Sequence, residues 1–158
     1  MTNKIVKTPV QVATQLARQY LMFYNKKEDT DNLFNLFSYA EHGQILNKVH
    51  LAPFEIPVLI LTTCDDNYIV NTTTRFIRIS PSSYESVYYS DFKGHFRIML
   101  LQTFKKDVKL AGWFGEAALE KINGELIYWD IPIGIAGGGF QNITRRCSII
   151  GRRISIIP

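Results

Sequence analysis

Between Ile56 and Ile133 the chain offers run after run of strand-forming residues and no segment fit to be a crossover helix. Parallel neighbours need a connection of about a dozen residues or more, usually helical, so strands in this stretch pair antiparallel. Ile56–Cys64 is a continuous apolar and threonine run, the pattern of a buried strand. Asp65-Asp66-Asn67 follows as a turn, because short polar side chains bond the nearby backbone. Tyr68–Ser80 is rich in Val, Ile, Thr and Phe. In its second half Arg75 and Arg78 are set among Phe76, Ile77 and Ile79, as in a strand with one wet face. The two runs form a hairpin. Pro81-Ser82-Ser83 is the next turn, Val87–Tyr89 a short strand, Gly94 a break and His95–Phe104 a further strand. Lys105-Lys106-Asp107 reads as a polar turn and Val108–Phe114 as a strand. Asn123-Gly124 is the strongest hairpin signal, joining a run that ends near Ile122 to Glu125–Ile133. Roughly five to seven short strands at this spacing predict a bent antiparallel sheet or small barrel.

Helical patterning flanks that region. Thr8-Pro9 is a helix start, a hydroxyl at the N-cap and then proline where its missing N–H costs nothing. Ala13, Leu16, Ala17, Tyr20 and Tyr24 follow at helical spacing as far as Asn25. Beyond the charged break at 26–29, Asp29 or Thr30 caps a shorter helix carrying Leu33, Leu36, Phe37 and Ala40, ended near Gly43. Residues 1–50 are thus predicted to be a helical pair.

At the other end, Phe140, Ile143, Cys147, Ile150 and Ile154 share one face at about 100° per residue. Arg145, Arg146, Arg152 and Arg153 fall opposite. An alternative makes Cys147–Ile150 and Ile154–Ile157 strands around a Gly151-Arg152 turn. The fold class is α+β: an N-terminal helical pair, a bent antiparallel sheet or small barrel over 53–133, and an amphipathic closing helix over 138–155. The 158 residues make one domain, enough to bury a core without metal or disulfide.

The net charge of +4 equals the four arginines that lie beyond the last acid, Asp130, so the rest of the chain sums to zero. Cys64 and Cys147 stand far apart inside apolar stretches, as buried free thiols do. The polar, basic N-terminus has no apolar run behind it. No stretch approaches the roughly 20 apolar residues of a transmembrane segment. A cytoplasmic location fits these features.

Three patterns bear on chemistry. Gly137-Gly138-Gly139 leads from a strand into a helix, where unpaired N–H groups can cradle a phosphate or nucleotide. The spacing matches no phosphate-loop motif, and a flexible turn that lets the last helix fold back is the simpler reading. The arginine face suits an anionic partner, whether protein, nucleic acid or anionic lipid. Solvated faces of packed helices and dipole-complementing last turns look the same. Ile149 and Ile156 project among these arginines as a surface for a partner or a second copy. Finally, Asp91-Phe92-Lys93, with Asp65, Asp66 and Glu85 upstream, has the residue types of a Mg²⁺-dependent phosphodiesterase or nuclease site. Triplets of this kind also arise by chance. His42, His50 and His95 have no ligand spacing, so no metal, cofactor or catalytic residue is assigned. Trp113, Trp129 and the Tyr84–Tyr88–Tyr89–Phe92 group are read as core and strand aromatics.

Glu55-Ile-Pro-Val-Leu-Ile-Leu-Thr, a polar turn and Tyr68-Ile-Val-Asn-Thr-Thr-Thr-Arg-Phe-Ile-Arg-Ile resemble the opening of bacterial pleckstrin-homology-like (GRAM-like) domains. Tyr89-Ser-Asp-Phe-Lys-Gly resembles the short strand and turn that follow there. The resemblance spans about 53–154 and implies a bent barrel plugged by one amphipathic C-terminal helix, with ligand or partner binding in place of catalysis. Lipid-binding members carry basic residues at the first hairpin turn, where this chain has Asp65-Asp66-Asn67. The reading that results is non-catalytic binding of a protein partner or a second copy. Phosphodiester cleavage through Asp65 or Asp66, Asp91 and Lys93 is the first alternative, and anion or nucleotide binding at Gly137–Gly139 the second.

Overall fold

The computed structural model describes residues 3–24, 32–96 and 104–158. Strand β1 (Ile5–Lys7) leads into helix α1 (Pro9–Tyr24). Thr8 and Gln11 cap that helix reciprocally. The Thr8 hydroxyl accepts the Gln11 N–H at 3.2 Å, and Gln11 Oε1 accepts the Thr8 N–H at 2.9 Å. Two donors that the first turn would leave unpaired are thereby satisfied. Val12 and Leu16 are fully buried, and Ala13, Ala17, Tyr20 and Tyr24 pack beside them as their spacing predicted.

The second helix of the expected pair is much reduced. Phe34–Leu36 forms strand β2, and α-helix is confined to α2 (Tyr39–His42), prolonged by a 3₁₀ turn over Gly43–Leu46. The caps expected at Asp29 or Thr30 lie outside the described residues. Tertiary pairing overrides the local spacing here: Thr62 N–H donates to Leu33 O at 2.7 Å and Phe37 N–H to Val58 O at 2.8 Å. Those bonds complete the edge of β3 (Pro57–Thr62), whose backbone groups would otherwise be open.

The first sheet continues with β4 (Tyr68–Thr72), β5 (Arg75–Ile79) and β6 (Tyr84–Tyr88), antiparallel in the order β2-β3-β4-β5-β6. Asp65 and Asp66 take φ of 60° and 58°, the left-handed pair that a two-residue hairpin loop requires. Tyr68–Ser80 is two strands, not the single one expected. Its hidden turn at Thr73-Thr74 contains neither Gly nor Pro. The Thr72 hydroxyl makes it, accepting the N–H groups of Thr74 at 3.1 Å and Arg75 at 3.0 Å.

The second sheet is built on β9 (Gly112–Lys121), which pairs with β10 (Leu126–Pro132) along one edge and with β7 (Phe92–Phe96) and β8 (Lys105–Asp107) along the other. β7 continues through Gly94, with its register on β9 shifted between Phe92 and Gly94, and residues 97–103 of the expected 95–104 strand lie outside the described residues. Lys105–Asp107, expected as a turn, is strand. The turn comes later because Asp107 Oδ1 accepts the Lys109 N–H at 2.9 Å and bends the chain after it. Gly124, at φ 88°, closes the β9–β10 hairpin.

The chain ends in α3 (Ile135–Thr144), α4 (Cys147–Arg153) and β11 (Ile154–Ile156), which lies parallel to β1. Helix therefore starts earlier than expected, at Ile135 ahead of the glycine run, and stops before Ile154. Phe140, Ile143, Cys147, Ile150 and Ile154 are all buried on one side, as the periodicity required. They close a core that both sheets share, including Phe76, Tyr89, Phe92, Phe114, Leu119 and Trp129. The opposite face of the first sheet carries Ile60, Val70, Ile77 and Ile79 under Leu46, Ile45, Val49 and Leu51. β3 is thus buried on both faces. The architecture is α+β, with antiparallel sheets and a C-terminal helical closure. No helix among the described residues is long and apolar enough to cross a membrane.

One turn is held against its residue's preference. Pro53 and Phe54 sit between Ala52 O and the Glu55 N–H, which are bonded at 3.0 Å, and Phe54 takes φ 67°, a position that favours glycine. Its ring is 64% exposed, so little packing offsets the strain. Phe54→Gly is expected to raise stability by about 1 kcal/mol, and Phe54→Val to lower it, both read by urea denaturation.

Candidate functional site

Arg145 and Arg146 form the turn between α3 and α4, and both keep right-handed helical dihedrals. The angular order of a helix therefore carries through from α3 to α4. At about 100° per residue, Ile149 falls at the centre of the arc spanned by Arg145, Arg146, Arg152 and Arg153. All four arginines are exposed, and Ile149 is 45% exposed. The arrangement follows from the opposite face, where Cys147, Ile150 and Gly151 must meet the core. None of the four arginines joins an ion pair among the described residues; Arg152 Nε donates only to Ser148 O, at 3.0 Å.

Helix α1 extends this face. A groove of about 290 Å³ runs between Gln19, Met22 and Phe23 on one wall and Asn142, Arg145 and Arg146 on the other. It opens, past Gln19, Met22 and Arg146, into a second groove of about 550 Å³ along α1, bordered by Lys7, Val10, Gln15 and Arg18. Among the described residues no carboxylate lines either one. Among the described residues Lys7 and Arg18 join no ion pair, Lys7 Nζ donating instead to Gln15 Oε1 at 2.7 Å. Sequence reasoning missed these two cations because they lie far along the chain from the arginine cluster. The available signal was the amide stripe Gln11, Gln15, Gln19, at steps of four beside Arg18.

The other sequence-derived candidates are dispersed or internally satisfied. Asp91 lies beside the end of β9, where its carbonyl accepts the Ile122 N–H at 2.8 Å, and Lys93 pairs with Glu120 at 2.8 Å. Asp65 and Asp66 lie at the other end of β9, tied to the β8 turn. Lys109 stands 3.2 Å from Asp66 and Lys105 3.6 Å from Asp65. At about 3.3 Å per residue, the intervening strand separates the two groups by roughly 25 Å. Glu85 is engaged by Arg78 and by the Trp129 indole N–H. The structure therefore does not bring the nuclease-type set together.

Cys64, Asp65 and Asp130 do converge, with ligand atoms within 4.8 Å of one another. Lys105 supplies the cation there, 3.5 Å from Asp130. Burial first, and then the Asp130 carboxylate, push the Cys64 thiol up to about 12, so it stays protonated and donates to Asp130 at 3.4 Å. Both cysteines are buried and free.

The glycine run, expected as a loop, is the start of α3. Gly137 lies against the Pro132 carbonyl, which a Cβ would approach to 1.8 Å, and Gly139 against Phe23, at 2.8 Å. Their lack of side chains serves helix packing. Ile156 is half-buried, packs against the core and pairs with Lys7, so Ile149 alone of the two isoleucines sits among the arginines.

His95 is packed among Phe76, Phe92 and Phe140, with Nε2 2.8 Å from the Thr144 hydroxyl. That hydroxyl donates to Phe140 O, so His95 Nε2 carries the proton, and Nδ1 has no partner among the described residues. Burial lowers the imidazole to about 4. The unfolded chain, titrating near 6.5, binds the proton first, so stability falls as pH drops from about 6.5 to about 4, by up to roughly 3 kcal/mol. His95→Leu should flatten that window in denaturation measurements at pH 7 and pH 4.5. No protein-family model matches this chain, and neither a curated protein nor a solved structure shows similarity to it.

Proposed function

We propose that this protein is a non-catalytic, cytoplasmic binding module that holds an anionic partner on the cationic face of its closing helices. Arg145, Arg146, Arg152 and Arg153 surround Ile149, and Lys7 and Arg18 widen the face toward α1. One observation carries the reading: charge is segregated. Carboxylates elsewhere, such as Glu55, Asp65, Asp66, Glu120, Glu125 and Asp130, have basic neighbours, whereas these six cations share no ion pair among the described residues. Such a surface attracts anions and raises their local concentration. The resemblance of residues 53–154 to pleckstrin-homology-like domains implies binding as well. The test is affinity for poly-glutamate at about 50 and 300 mM salt, the range over which screening bites. Arg145→Glu/Arg146→Glu is expected to abolish salt-sensitive binding, while Lys48→Glu/Lys106→Glu, which reverses equal charge elsewhere, leaves it. Equal loss in both variants would mean that net charge alone is responsible.

A further inference from the structure

The shape of the cationic face narrows the chemistry of what it holds. The two grooves meet at Gln19, Met22 and Arg146 and form one furrow that follows α1 from Val10 to Met22. At about 1.5 Å per residue that stretch measures roughly 18 Å, about three and a half helical turns. Its floor is not uniformly charged. Val10 and Met22 are exposed apolar side chains, and amide and hydroxyl groups from Gln11, Thr14, Gln15 and Asn142 lie between them. The cations Lys7, Arg18, Arg145 and Arg146 stand along the rim.

A concave furrow with apolar floor, amide steps and cationic rim matches an elongated segment that is apolar along one side and acidic along its edges. We infer that the partner is an acidic amphipathic α-helix of a protein, lying along α1 with its apolar side on Val10 and Met22 and its carboxylates on Arg18 and Arg146. Helix in groove is an established mode of peptide recognition, read through anchors at helical spacing. Two observations favour this occupant over a phosphate polymer or a lipid surface. A flat bilayer meets convex surfaces, and this one is concave. Val10 and Met22 are exposed apolar side chains at the two ends of the furrow and call for an apolar stripe, which an amphipathic polypeptide offers and a phosphodiester backbone does not.

The inference rests on the anionic-partner reading, and the experiment separates the two. The full chain is titrated by fluorescence anisotropy at low salt with three probes. They are an acetylated helical peptide of about 14 residues, with Leu and Glu on adjoining faces, a single-stranded oligonucleotide, and phosphatidylglycerol vesicles. The peptide is expected to bind, with at least a tenfold loss for Arg18→Glu and for Arg146→Glu and under a threefold loss for Lys48→Glu, which lies outside the cationic face. Met22→Asp should weaken it comparably. All four sites are exposed, so circular dichroism should report unchanged folding. Binding of oligonucleotide or vesicles but not of peptide would overturn the helix assignment and leave the anionic-face reading standing. So would peptide binding indifferent to Arg18 and Met22. No binding of any probe overturns both.

Discussion

Arg75→Met is expected to cost this protein about 3–5 kcal/mol, a large part of the stability of a chain this size. Glu55 and Arg75 form an ion pair at 2.8 Å with side chains only 1% and 7% exposed. The guanidinium also donates to His50 O at 2.7 Å and to Ser86 Oγ at 3.1 Å, and it lies over the Tyr88 ring. One side chain therefore ties the segment after the 3₁₀ turn to β5 and β6. The carboxylate accepts the Thr72 and Thr74 hydroxyls and the Ala52 N–H, which fix the turn between β4 and β5. Removing Arg75 alone strands a buried negative charge. Glu55→Leu/Arg75→Met, which removes both charges, should be less damaging than Arg75→Met by itself.

The same pair sets a pH dependence. Burial by itself would raise the Glu55 carboxyl, but the hydrogen bonds from Arg75, Thr72 and Ala52 outweigh it and hold the group below its ordinary 4.5. A lowered carboxyl contributes stability above its unfolded value, and that contribution is lost as pH falls through the folded one. Without Arg75 the sign inverts: burial then raises Glu55, and the penalty is relieved on protonation. The difference in stability between the parent chain and Arg75→Met should accordingly shrink from pH 7 to pH 4 in denaturant titrations. A difference that widens would contradict the assignment.

Gly151→Ala is the second large effect. A Cβ at Gly151 would come to 2.0 Å from Tyr89 O and 2.4 Å from Ser90 N, both backbone atoms. Neither can swing aside, because Tyr89 is buried with its hydroxyl bonded to Thr72 O at 2.6 Å. Helix α4 would have to lift from the β6–β7 turn, at a cost of about 3 kcal/mol or more. Gly138→Ala is the internal control. It lies in α3 with nothing within 4 Å of the added methyl, and should stabilise by up to about 1 kcal/mol through helix propensity. Both are read from urea midpoints.

These features differ in how far the chain announces them. Periodicity located α1 and the buried face of the closing helices because each buries a long stripe against a core. It also located the β3–β4 and β9–β10 hairpins, whose turns use Asp65, Asp66 and Gly124. It failed where a long-range partner decides the outcome. Leu33–Phe37 has helical spacing but completes the edge of β3, and three-residue β1 and β11 are too short to show any period. The Thr73-Thr74 turn was hidden because a threonine hydroxyl closes it in place of Gly or Pro, and the carboxylate that anchors that hydroxyl, Glu55, lies well upstream. Glycines that look like a loop are helical because Pro132 and Phe23 press on them. The arginine half of the candidate site was legible as charge. Its furrow was not, since Arg18 and Met22 meet Arg146 only through the packing of α1 on α3.

Amide chemical-shift mapping of the full, isotope-labelled chain titrated with poly-glutamate tests the cationic-face assignment most directly. Perturbations should concentrate at Lys7–Met22 and Asn142–Arg153 and fade as salt is raised. Shifts centred on the second sheet, or none at the lowest salt, would contradict it.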